Sequence, residues 1–228
     1  MIQIKSEAAD GFEFGALHAQ PVGERRGGVI VIQEIFGIDH YISEDVSRWA
    51  KLGFEVLAPS MFDRQKRGFV AEHDSAGLTE GVSLHGQAKV EDALADLAAC
   101  IAYLAPRGPV FITGYCYGGS MGWQAAARLD GIAAVSSYYG GMIAQFVDLA
   151  PKCPIICHFG RKDPHIPADG IAAAIHAAQP GVPVYIYENS GHGFNNDGRP
   201  DSDPTDAALA RKRTLEFFVA NGANNGAK

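Results

Sequence analysis

The chain has no apolar run approaching the ~18 to 20 residues that a helix needs to cross a bilayer, and it has no block of basic residues. The first absence argues against a helical membrane span. The second, joined to a net charge of −7, argues against a nucleic-acid partner, since a phosphate backbone selects for a positive face. The basic runs that do occur, Arg25-Arg26 and Arg211-Lys212-Arg213, read as solvated faces. Cysteine is scarce, and Cys100, Cys116, Cys153 and Cys157 show neither disulfide-framework nor zinc spacing. No Cys-x-x-Cys pair is present, which removes the usual signature of a thiol redox protein. Eight histidines are scattered without ligand spacing, so neither a metal nor a cofactor is expected. Met1-Ile2-Gln3-Ile4-Lys5 alternates like a strand and does not read as a signal peptide. With free thiols and no framework, a cytoplasmic location is expected.

What is present is a chain of 228 residues, 47% of them apolar, which is enough to bury a full core. No internal repeat or linker appears, so residues 1–228 read as a single domain. Residues 12–20 look like an early antiparallel strand, and residues 28–32 form a continuous apolar run suited to a strand buried on both faces. A helix is expected over 41–52, closed by Gly53, then a strand over 55–58 stopped by Pro59. Residues 60–86 show no period and read as a long excursion, a cover or a disordered loop. A helix over 87–104 follows, then a strand over 110–115 and a helix over 116–129. Strands over 132–137, 154–159 and 183–187 remain, with a helix over 168–178 between the last two. A terminal helix opens at Asp203-Pro204, and the small polar tail 221–228 is expected to fray. Strand and helix in alternation predict an α/β fold with a mostly parallel central sheet and helices on both faces.

One segment carries chemistry. Val110-Phe111-Ile112-Thr113-Gly114-Tyr115-Cys116-Tyr117-Gly118 is a buried-strand pattern running into Gly-x-Cys-x-Gly ahead of a helix. That is the nucleophile elbow of α/β-hydrolases with cysteine in place of serine. The turn is so tight that the residues two before and two after the nucleophile must be small. The following helix aims its positive end at Cys116, which favours a thiolate. Cys153, Cys157 and Cys100 read as small core residues.

A thiol needs a base and a site that stabilises charge. In chain order the acid and the histidine follow the nucleophile, and two later strands run into suitable loops. One leads to Gly160-Arg161-Lys162-Asp163 and the other to Glu188-Asn189-Ser190-Gly191-His192. Cys116 would attack a carbonyl, His192 carry the proton and Asp163 fix the tautomer of His192. The Tyr117 N–H is one oxyanion donor, and the Ile35 N–H is the candidate for the second. His158, inside a strand, and His165, just after the acid, read as packing or surface residues.

These residues resemble the dienelactone hydrolase (carboxymethylenebutenolidase) family of α/β-hydrolases along nearly the whole chain. The carrying motifs are Gln33-Glu34-Ile35-Phe36-Gly37, Gly114-Tyr115-Cys116-Tyr117-Gly118-Gly119, Tyr138-Tyr139-Gly140, Gly160-Arg161-Lys162-Asp163 and Gly191-His192-Gly193-Phe194. The resemblance implies Cys116, Asp163 and His192 as a triad. It also implies that Glu34 keeps the resting thiol neutral and takes its proton when substrate enters, with no cofactor. Phe36, Tyr139, Phe194 and Arg64 are candidate substrate contacts. The family's carboxylate-binding arginines are not matched, since residues 68–106 hold no arginine and Asn195-Asn196 follow Phe194. The expected substrate is therefore a small-molecule ester or lactone acting through an acyl-enzyme on Cys116, in a monomer or weak homo-oligomer. A broader carboxylesterase or thioesterase shares the same residues. A non-catalytic binding member would have lost a triad residue.

Overall fold

The computed structural model describes residues 1–224, and the chain divides into two compact units, Met1–Phe111 with Asn224, and Ile112–Ala223. In the first unit β1 (Ile2–Lys5) pairs antiparallel with β2 (Glu13–Ala19), which pairs antiparallel with β4 (Phe54–Pro59). β4 in turn lies parallel to β3 (Gly27–Ile32), and both are buried along their whole length. Burial on both faces is why these two strands read as continuous apolar runs and not as alternating ones.

The helices of this unit follow from periodicity and caps. α1 (His40–Lys51) buries Ile42, Val46 and Trp49 at helical spacing, and Asp39 caps it by accepting the Ile42 N–H at 2.9 Å. α3 (Val90–Leu104) buries Leu94, Leu97, Ile101 and Leu104 in the same way.

Four expectations need correction here. Residues 60–86 are not an irregular excursion, because they contain α2 (Ser75–Gln87), capped by Asp74. The helix was illegible because Gly77, Gly81 and Gly86 dilute its pattern. At Gly81 the reason is contact, since a Cβ there would stand 2.2 Å from the Ile35 carbonyl oxygen. The next helix begins at Val90 and not at residue 87, because Ala88 and Lys89 are extended. The Arg25-Arg26 pair is not a solvated face. Arg25 Nε donates to the buried Glu55 carboxylate at 2.9 Å, and Arg26 Nη1 to the Leu52 carbonyl at 3.1 Å. The tail does not fray from its start, as the Asn224 N–H donates to the Arg26 carbonyl at 3.0 Å. Residues 225–228 of that tail lie outside the described residues.

β5 (Val110–Tyr115) enters the second unit, where the strand order is β5-β6-β7-β8 with β6 (Ala134–Tyr138), β7 (Ile155–Gly160) and β8 (Val184–Tyr187). β6, β7 and β8 are parallel neighbours. The helices are α4 (Tyr117–Arg128), α5 (Ala168–Ala178) and α6 (Pro204–Ala220). Asp203 caps α6 by accepting the Thr205 and Asp206 amides, with Pro204 at the first position.

Thr214 ties α6 to β6. Its hydroxyl, donating to the Ala210 carbonyl, lies 2.6 Å from the Tyr138 hydroxyl and 2.8 Å from that of Ser136, both of which can donate to it. His158 packs flat against Tyr138 and bonds Tyr187 through Nδ1 at 2.8 Å. Burial, with the nearby charge of Arg213, holds its pKa down at about 3, so the ring is neutral. The packing role expected for His158 fits this position. Arg211-Lys212-Arg213 needs the same correction as Arg25-Arg26. Arg213 stacks over the Tyr185 ring at 4.2 Å, and Arg211 bonds Asn195 and Asp197.

Candidate active site

Cys116 sits between β5 and α4 with φ 53° and ψ −109°, a left-handed conformation that a side chain rarely adopts. Two hydrogen bonds hold it there. Its N–H donates to the Tyr138 carbonyl at 3.0 Å, and its own carbonyl accepts the Ser120 N–H at 3.1 Å. The small residues of the elbow are required by contact, as a Cβ on Gly114 would stand 2.1 Å from the Gly118 carbonyl oxygen. Cys116 is partly exposed, whereas Cys100 and Cys157 are buried, and burial pushes their thiols far above the reactive range. Burial also raises the half-buried Cys153, to about 11. Burial thus raises all three of these other thiols.

Asp163 follows β7 and His192 follows β8, and the two loops are brought together at Gly160. A Cβ there would meet the Ser190 carbonyl oxygen at 2.4 Å. His192 Nδ1 lies 2.7 Å from Oδ2 of Asp163, and its imidazole also hydrogen-bonds the Cys116 side chain. The other carboxylate oxygen of Asp163 accepts the His165 and Ile166 amides at 2.8 and 3.1 Å. Burial opposes the charge on Asp163, but the histidine and these two amides outweigh it and lower its pKa. Burial likewise opposes a charged His192, yet Asp163 and Cys116 together raise it to about 10. The electrostatics therefore favour an imidazolium beside the Asp163 carboxylate.

Around this group Tyr139, itself at φ 38°, sets its ring 5.1 Å from that of His192, and Phe194 lies 5.7 Å from Tyr139. Both aromatics are fully buried. His165 is exposed and meets His192 edge-on at 5.8 Å. Tyr117 is the first residue of α4, where N–H groups have no intrahelical acceptor. A cleft of about 350 Å³, lined by Pro154, Pro183, Gln179 and Phe217, opens at the opposite, N-terminal ends of β7 and β8.

The other candidates belong to the first unit. Glu34 is buried just past the end of β3, followed by Ile35 in a turn. Gln33 braces the segment, donating to the Glu34 carbonyl at 3.1 Å and accepting the Met61 N–H at 3.1 Å. Phe36 stacks on His73 at 3.9 Å. Arg64, expected to contact substrate, is otherwise engaged. Its guanidinium bonds both oxygens of Asp96 at 3.3 and 3.0 Å, Asp10 at 2.6 Å and Ser6 at 3.0 Å. A buried ion pair of this kind consumes the donors a substrate carboxylate would need. The carbonyl of Tyr138, which holds the Cys116 amide, had no signal in the sequence, because any residue offers a carbonyl. Among the described residues no group of three or more His, Cys, Asp or Glu side chains is placed to hold a metal ion. No helix among them is long and apolar enough to cross a membrane.

Comparison with known proteins gives the family and the fold. A carboxymethylenebutenolidase of Pseudomonas sp. is 31% identical over 226 residues, covering 94% of this chain and 93% of that protein. Another from Pseudomonas putida is 30% identical over 225 residues, covering 95% of each. A Klebsiella pneumoniae structure, provisionally named a dienelactone hydrolase, superposes with a TM-score of 0.81 at 26% identity, covering 96% of this chain and 98% of that one. An esterase from Pyrococcus furiosus, 13% identical with a TM-score of 0.68, shares the fold. The α/β-hydrolase architecture is therefore that of the whole group, and the model of the dienelactone hydrolase family matches residues 14–221. The chain belongs to the dienelactone hydrolase family.

Proposed function

We propose that this protein is a dienelactone hydrolase-like enzyme that opens a carboxylic ester or lactone through an acyl-enzyme on Cys116. The observation that carries the reading is the imidazole of His192, hydrogen-bonded to Asp163 on one side and to the Cys116 thiol on the other. As its proton passes to His192, the Cys116 sulfur attacks the carbonyl carbon, forming a C–S bond and pushing the carbonyl π electrons onto oxygen. The Tyr117 N–H stabilises that oxyanion. Collapse expels the alkoxide or enolate, which takes the proton of the His192 imidazolium. Neutral His192 then removes a proton from water, the hydroxide cleaves the thioester, and the acid product leaves with the thiol–imidazole pair restored. Thiolate leaves more readily than an amine, so activated esters, enol lactones and thioesters are favoured over amides.

Glu34 enters on the family resemblance, as the group that quiets the resting thiol. Its replacement by glutamine is expected to change the rate at which iodoacetamide alkylates Cys116. An unchanged rate removes Glu34 from the mechanism.

The engagement of Arg64 with Asp10 and Asp96 favours a second reading of the substrate. An arginine so occupied does not recognise a free carboxylate, which suits a broader carboxylesterase or thioesterase that takes uncharged acyl groups.

The test is intact-mass analysis during turnover of a panel of 4-nitrophenyl esters, an enol lactone and a thioester. A mass gain equal to the acyl group, absent in Cys116→Ala, is expected. Turnover that survives Cys116→Ala, or no turnover on any member of the panel, would overturn the reading.

A further inference from the structure

His192 stands in a segment, residues 188–203, that has neither helix nor strand to stiffen it. Its imidazole can serve Cys116 only if this segment is held still. The loop after β7 holds its start, with the Lys162 N–H on the Ser190 carbonyl at 2.9 Å and Arg161 on Glu188, and α6 holds it on both sides of His192. On α6, Asp206 Oδ2 accepts the Asn189 N–H at 3.1 Å and the Ser190 hydroxyl at 3.0 Å, just before His192. Five residues further along α6, Arg211 Nε donates to Oδ1 of Asn195 at 3.1 Å. Its Nη2 donates to the Asn195 carbonyl and, at 2.8 Å, to Asp197, just after His192. Ser190 and Asn195 are buried, so the bonds to them are partly shielded from water, while those to Asn189 and Asp197 are exposed. The helix is itself anchored, since Thr214 lies one turn beyond Arg211 and bonds Tyr138, whose carbonyl holds the Cys116 amide. Within the segment, the Gly191 N–H reaches the Asp201 carbonyl at 2.9 Å and the Ser202 hydroxyl the Phe194 carbonyl at 2.8 Å. These close the loop on itself but do not attach it to a rigid element.

We infer that Asp206 and Arg211 are positioning residues for His192, a carboxylate and a guanidinium on α6 that hold its loop from both ends. The inference rests on His192 being the base of the proposed hydrolase. A catalytic group must be kept within a fraction of an ångström of its working place, and sites attached to helices are held better than those on free loops. Arginine suits the task because its planar fork reaches a side-chain oxygen, a carbonyl and a carboxylate at once, which a lysine cannot.

The decisive measurement is the pH profile of iodoacetamide alkylation at Cys116, taken beside ester turnover. In Arg211→Ala the imidazolium is no longer held against the sulfur. The pH profile of alkylation is then expected to differ from that of the unaltered chain. For 4-nitrophenyl acetate, kcat should fall about tenfold while KM stays within about twofold. Arg211→Lys should recover part of the loss, and Asp206→Asn should move both readouts in the same direction. A purely structural role would lower the thermal midpoint without moving the alkylation profile. If Arg211→Ala does not fold, Arg211→Lys and Asp206→Asn carry the test. An unmoved profile in both of those variants overturns the inference. If the unaltered chain hydrolyses no ester, the hydrolase reading fails, and the alkylation profile still decides whether α6 positions His192.

Discussion

Nδ1 of His192 lies 2.7 Å from Oδ2 of Asp163, while Oδ1 of the same carboxylate is occupied by the amides of His165 and Ile166. The carboxylate is thus fixed by its own loop and presents one oxygen to the imidazole. Nδ1 carries its proton toward Asp163, which leaves Nε2 for the thiol. In Asp163→Asn the charge that favours the imidazolium is gone and the ring is free to take the wrong tautomer. kcat/KM on an activated ester should fall by about a hundredfold or more, with KM little changed. Steady-state kinetics checks this, and a loss below about threefold would mean that Asp163 is not the orienting acid.

The pH dependence of stability follows from the same pair. The pKa of His192 is raised from 6.5 to about 10, so the folded chain binds this proton more tightly than the unfolded chain does. Its stabilising contribution is complete below about 6.5 and is lost as the pH climbs through about 10. Asp163 is lowered from 3.8, so its contribution is present above that value and is lost as the pH falls through its folded pKa. The thermal midpoint should therefore decline between about pH 7 and 10 more steeply in the unaltered chain than in His192→Gln. Parallel curves in differential scanning calorimetry would contradict the raised pKa. Ester turnover should fall over the upper part of the same window, as the leaving group loses its proton donor.

Gly114 tests the elbow. Its missing Cβ is replaced by the Gly118 carbonyl oxygen, 2.1 Å from where a methyl would stand, and that oxygen belongs to the backbone of α4 and cannot swing away. Gly114→Ala should destabilise the chain by about 2–4 kcal/mol. Urea denaturation measures it, and a change below about 0.5 kcal/mol would show that the elbow relaxes freely.

Thr214 makes a different kind of prediction, since it tests the core and not the chemistry. Valine at this position matches threonine in shape but leaves the buried hydroxyls of Tyr138 and Ser136 without the partner they have now. Thr214→Val should cost about 1–3 kcal/mol of stability, and Thr214→Ser should cost less because it keeps the hydroxyl. Equal stability of the two variants in chemical denaturation would argue that these hydroxyls find other partners.

Several features were determined by the sequence alone, because their causes are local. The apolar runs that became β3, β4 and β5 announce strands buried on both faces, and Asp39 and Asp203 mark helix starts through hydrogen bonds to amides a few residues away. The order of Cys116, Asp163 and His192 after their strands was legible for the same reason. α2 was not, since one of its glycines, Gly81, serves a contact with Ile35 that lies some forty-six residues back in the chain. Nor were the tasks of the arginines. Arg64, Arg25 and Arg211 look alike as surface charges, and only the fold decides that each meets a carboxylate or carbonyl far away in sequence.

The cysteine elbow and its proposed partners were thus legible through residue type, chain order and the tight geometry of one turn. Tertiary structure decided how these residues are held: the Tyr138 carbonyl on the Cys116 amide, and Asp206 and Arg211 on the two sides of His192. The physical reason is that a turn or a cap is set by neighbours in the chain. The direction of an imidazole depends on hydrogen bonds from residues that only folding brings near.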